Sequence, residues 1–161
     1  MFPTRRITTS GGDVFRDEYS LEFDATDDYV SLGSDTSLNI KGDLSISAWV
    51  NVPSLSGHAV IVCRGNVGSA GTVHYNFRID SSNNVTLGLS DGTTQDATAT
   101  SDAVPVDIWT YLVATFDASA STTRIYINGE ESVSDTSMGL TAIGSSGTDA
   151  SNCAIGADSV T

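Results

Sequence analysis

Positive charge is what this sequence has least of. Seven Lys plus Arg, only one of them a lysine (Lys41), stand against twenty Asp plus Glu, for a net charge of −13. Nucleic acid and anionic membranes both need a basic face, so neither is an expected partner. Two cysteines, Cys63 and Cys153, permit one bridge at most. The simpler reading is two unbridged residues buried as small hydrophobes, with a disulfide as the alternative. No internal repeat and no helical run of convincing length is present. The opening segment MFPTRRITTSGGDVFRDE has no apolar stretch after its arginines, so neither a secretory leader nor a membrane span is expected there.

What the chain does have is apolar residues at period two. At 161 residues and 39% apolar composition it is long enough for one two-layer domain and too short for two ordinary ones. Apolar and polar residues alternate through Tyr19, Leu21 and Phe23 and again through Leu44, Ile46, Ala48 and Val50, which predicts strands with one buried face. HAVIVC at 58–63 reads as a buried strand, and Val73 to Ile79, the turn Asp80 to Asn84, then Val85, Leu87 and Leu89 read as a hairpin. TYLVATF at 110–116 is apolar on both sides, the mark of a central strand. Asn128-Gly129 between RIYI and EESV predicts a type I′ hairpin turn. Ser90 to Asp102 is too polar for a core and is expected to be an edge strand or a long loop. Many short strands between Gly, Asn, Asp and Ser turns predict a β-sandwich or barrel.

Four ordered segments resemble laminin-G-like jelly rolls of the concanavalin A-like lectin/glucanase superfamily and their pentraxin-like relatives. They are Tyr19 to Val52, with Asp27-Asp28-Tyr29-Val30 and Trp49; DIWTYLVATFD at 107–117; RIYINGE at 124–130; and CAIGA at 153–157. The resemblance implies an all-β fold, a two-sheet antiparallel jelly-roll β-sandwich over 19–161 preceded by an extended N-terminal arm at 1–18. In that family a further strand follows the Ile-Gly strand, so a fragment, or completion by a partner strand or by the arm, is expected here. Relatives hold calcium at one rim, and positional similarity singles out Asn66 and Asp158 as Ca²⁺ ligands, with turn formation by Asn and Asp as the competing account.

Chemistry is sparse. Glu22, Asp24 and Asp27 read E-x-D-x-x-D, close to the glucanase pattern E-x-D-x-x-E. Retaining hydrolysis needs two carboxyls about 5–5.5 Å apart on one face, whereas a turn intervenes here, so no enzyme is expected. His58 and His74 lack metal spacing and read as ordinary strand residues. Glycan binding needs an exposed aromatic platform. Trp49 and Trp109 lie among apolar neighbours and are expected in the core, which leaves a ligand-binding surface unassigned.

The charge is uneven: Arg5, Arg6 and Arg16 against Asp13 make residues 1–16 net +2 and leave −15 for the rest. Arg5, Arg6, Phe15 and Arg16 are therefore expected to dock the chain onto an assembly. The resulting expectation is a non-enzymatic structural or adhesion protein, a virion surface component such as a capsid decoration or fibre, forming homo-oligomers. The alternative is a lectin-like module of an extracellular surface protein that binds glycans, with or without calcium.

Overall fold

The computed structural model describes residues 19–24, 26–65, 73–92, 96–144 and 152–158, with the backbone alone at 96–98. Ten strands form two antiparallel sheets: β1 Val30–Gly33, β2 Leu44–Val50, β3 Ala59–Arg64, β4 Tyr75–Ile79, β5 Asn84–Ser90, β6 Asp96–Ala103, β7 Thr110–Asp117, β8 Thr122–Ile127, β9 Glu130–Asp135 and β10 Cys153–Ile155. Sheet A runs β1-β10-β3-β4-β5-β6 and sheet B runs β2-β7-β8-β9. This is the expected all-β sandwich of jelly-roll type. A 3₁₀ turn, Thr36–Leu38, is started by Asp35, whose carboxylate accepts from the Ser37 N–H.

Alternation decides which side chains go inside. Phe77 and Ile79 of β4, Val85 and Leu87 of β5, Leu112, Ala114 and Phe116 of β7, and Ile125 of β8 are all buried in one core between the sheets. Full burial of a large apolar side chain contributes roughly 1.5–3 kcal/mol, and the sum over such a set drives the two sheets together. The β4–β5 hairpin turns where expected, with Asp80 Oδ1 accepting from the N–H groups of Ser82 (2.7 Å) and Asn84 (3.0 Å). Asn128 (φ +54°) and Gly129 (φ +89°) occupy the left-handed positions of the β8–β9 turn. The polar stretch after Ser90 supplies β6, the edge strand of sheet A. Strand β7 is interior to sheet B, as its two-sided apolarity predicted, with only its inner face covered by sheet A.

One expectation fails. Tyr19, Leu21 and Phe23 form no strand, and Tyr19 and Leu21 are 73% and 70% exposed. Alternation creates a strand only when a neighbouring strand takes its hydrogen bonds, and among the described residues no pairing joins this segment to β1, the edge strand of sheet A. The chain turns instead at Asp24, whose Oδ1 accepts from the N–H groups of Thr26 (2.8 Å) and Asp27 (3.3 Å). Phe23 lies over Gly156, where a Cβ would come within 2.6 Å of the ring. A glycine there (φ +86°) both allows the backbone and leaves room for the phenyl group.

The two long sides of the sandwich differ. On one, β6 and β9 are tied together: Ser132 Oγ accepts from the Asp102 N–H (3.0 Å) and donates to Asp102 Oδ2 (3.2 Å). On the other, β2 is the edge of sheet B, and its inward residues Ile46 and Val50 are only half-buried against the core.

Candidate functional site

Strand β2 sends Leu44, Ile46, Ala48 and Val50 inward, so Ser45, Ser47 and Trp49 must face outward. Strand β7 sends Leu112, Ala114 and Phe116 inward, which turns Tyr111 and Val113 out. The register places Trp49 opposite Tyr111 and Val113 opposite Tyr126 of β8. Trp49 is 63% exposed, and its ring lies 5.3 Å from that of Tyr111 at an interplanar angle of 37°.

The loop before β7 extends this surface. The Asp107 N–H donates to the Val52 carbonyl (2.8 Å), with Asp107 itself at φ +58°, so the loop is pinned to the end of β2. Ile108 and Trp109 follow, 57% and 50% exposed. Thr110, between Trp109 and Tyr111, is buried and donates to the Ile108 carbonyl (3.0 Å). From the other flank, the β8–β9 turn is bonded to β7 in both directions: Asn128 N–H to the Tyr111 carbonyl (2.8 Å), and Tyr111 N–H to Asn128 Oδ1 (3.0 Å). The result is an aromatic platform of Trp49 and Tyr111 on the outer face of sheet B, with Ile108 and Trp109 exposed in the loop that leads into β7. Arg124 and Glu131 of the same sheet are paired at 3.5 Å. Exposed aromatics on a rigid sheet can cover the apolar C–H face of a sugar ring while nearby amides and charges take its hydroxyls.

The expectation that Trp49 and Trp109 belong to the core is therefore wrong. Their neighbours are apolar because those neighbours face in, and the same alternation that buries Val50 expels Trp49. That signal was in the sequence: Trp49 is one residue out of phase with Leu44, Ile46, Ala48 and Val50.

The other predicted residues are scattered. Asn66 and the arm residues Arg5, Arg6, Phe15 and Arg16 lie outside the described residues. Asp158 is described, and its Oδ2 is 2.8 Å from His58 Nε2, across 100 positions of sequence that gave no hint of the pairing. Asn66, the other residue of the expected calcium pair, lies outside the described residues. A three-carboxylate group does occur at Asp24, Asp27 and Asp28, all exposed. There the N–H groups of Thr26 and Asp27 hold the Asp24 carboxyl below the usual range. Glu22, Asp24 and Asp27 are all exposed, and Asp24 and Asp27 sit on the turn after Phe23 rather than on a strand. Cys63 and Cys153 are both buried and unbridged.

A laminin G family model, described as Concanavalin A-like lectin/glucanases superfamily, matches residues 24–161. No curated protein sequence matches the chain. Among solved structures, the chain is similar to the Ruminococcus gnavus IT-sialidase CBM40 bound to α2,3-sialyllactose, with a TM-score of 0.57 at 18% identity over 75% of this chain and 66% of that one. It thus spans about two thirds of that relative. The same module bound to α2,6-sialyllactose gives a TM-score of 0.55 at 16% identity, over 80% of this chain and 76% of that one. The heptameric SAP-like pentraxin of Limulus polyphemus gives 0.51 at 11% identity, over 85% and 67%. At these identities the likeness is one of fold.

Proposed function

The chain belongs to the concanavalin A-like lectin/glucanases superfamily, and on that premise we propose that it is a glycan-binding module whose contact surface is the aromatic platform of sheet B. One observation carries the reading: the chain's two tryptophans, expected inside, are both at least half exposed, Trp49 against Tyr111 on the outer face of sheet B and Trp109 in the loop that leads into β7. A soluble domain gains nothing in stability from placing its largest apolar side chains in water, and exposed aromatics grouped on one face are a usual mark of a binding surface. The sialyllactose complexes of the CBM40 relative support glycan binding as a class. At this platform the net charge of −13 favours neutral sugars over acidic ones.

The reading is binding without turnover. It is supported by the exposure of Glu22, Asp24 and Asp27 and by the engagement of Asp24 with backbone N–H groups. Because the contact is through ring faces, it requires no bridging Ca²⁺. The module is proposed to be displayed on a virion or another extracellular surface, on the strength of its fold and its basic first residues.

A glycan array that includes neutral oligosaccharides and both sialyllactoses, followed by calorimetry on the hits, tests the proposal. A hit is expected, with Trp49→Ala and Trp109→Ala each weakening binding at least ~10-fold, the range of an aromatic anchor. The bound oligosaccharide should keep its mass after prolonged incubation. A blank array with folded protein would overturn glycan binding. Equal affinity in both variants would move the site off the platform, and loss of binding in EDTA would move it to a calcium-bridged contact.

A further inference from the structure

Arg64 is the last residue of β3, and its side chain is completely buried. Tyr75 and Cys153 are its register partners on β4 and β10. Above them lies the connection that follows the 3₁₀ turn: Arg64 Nη2 donates to Asn39 Oδ1, and the Tyr75 hydroxyl donates to the Leu38 carbonyl (3.2 Å). Among the described residues, Nε and Nη1 of Arg64 have no hydrogen-bond partner. Among the described residues the guanidinium is in no ion pair: those pairs are His58–Asp158 and Arg124–Glu131. Asp35 feels its charge, but Asp35 is exposed and its carboxylate accepts from the Ser37 N–H (2.8 Å).

A guanidinium cannot relieve burial by losing its proton, as a lysine or histidine would. A buried ion without a counter-charge is strongly destabilising, and the fold nevertheless closes over this one. We propose that Arg64, supported by Asn39 on Nη2, is the binding site of a small monoanion, a halide or the carboxylate of a small organic acid, that accepts from the unpartnered N–H groups of the guanidinium. Size and charge select the ligand. One positive charge balances one negative charge, while Asp35 and the acidic body repel polyanions. The N–H donors of a guanidinium suit a halide or a carboxylate oxygen equally. This site is on the core side of sheet A and is independent of the platform on the outer face of sheet B.

Anion-dependent melting of the whole chain, followed by circular dichroism at constant ionic strength, tests this. Replacing a bulky sulfonate such as MES with chloride or with acetate from about 1 to about 200 mM should raise the melting temperature by roughly 2–4 °C if the site saturates in that range. A response to chloride alone assigns a halide, and one to acetate a carboxylate. Arg64→Met should lose the response. Asp35→Asn should keep it. If Arg64→Met does not fold, crystals of the unaltered protein grown in bromide decide, with an anomalous peak within hydrogen-bonding distance of the guanidinium expected. A melting temperature indifferent to both anions, with no bromide peak, overturns the proposal. So does an Asp35→Asn variant that is destabilised and has lost the anion response, because Asp35 would then be the counter-charge.

Discussion

Trp49 and Cys63 show how little a residue's type says about its place until its phase along the strand is known. Trp49 has the larger apolar surface and faces water, while Cys63 is 2% exposed on the opposite sheet. Burial, reinforced by the negative charge of Asp158, pushes the Cys63 thiol up to about 12. The thiolate is the reactive form, so both burial and the missing thiolate protect this sulfur. The native protein at pH 8 should therefore react with a thiol reagent only as fast as it opens, whereas urea-unfolded chain should titrate two thiols at once. Two fast-reacting thiols in the folded state would contradict the buried geometry. The sign of the linkage follows: the folded state retains a proton that the unfolded thiol releases near its ordinary value of 9.0, so Cys63 contributes stability below pH 9 that is lost as pH rises toward 12.

At the scale of elements, the β8–β9 turn does more than reverse the chain. Asn128 supplies a left-handed residue and also the acceptor for the Tyr111 N–H, so the turn fixes the start of β7 beneath the platform. Asn128→Ala is expected to cost about 1–2 kcal/mol in urea denaturation, from the lost acceptor and the strained φ together. Asn128→Gly, which keeps the φ but not the acceptor, should cost less and still lower sugar affinity if the platform depends on this anchor. This hairpin was legible in advance because Asn-Gly carries its own backbone geometry. So were β2, β4, β5 and β7, whose alternation is backed by partners on the page of the sequence itself. The segment 19–23 differs for the converse reason: its alternation is as clean as that of β2, but a strand also requires backbone pairing with a neighbour, and none joins it to β1 at the edge of sheet A, which only the assembled sheet decides. The pairing of His58 with Asp158 and the burial of Arg64 were beyond sequence reasoning for the same cause, since each depends on loops brought together from distant positions.

For the whole molecule, the sandwich separates its duties by face. Core and buried guanidinium occupy the space between the sheets, the β6–β9 side is stitched by Ser132 and Asp102, and the outer face of sheet B bears the aromatics. Both tryptophans of the chain are at least half exposed, which makes the protein's intrinsic fluorescence a reporter of its surface rather than of its core. Emission from the native state should already sit near that of a solvated indole, so unfolding, which the circular dichroism of the sheets records in full, should scarcely move its wavelength. A bound sugar should shift it to the blue and shield it from acrylamide. A large red shift on unfolding would instead place the indoles inside, and the platform with them.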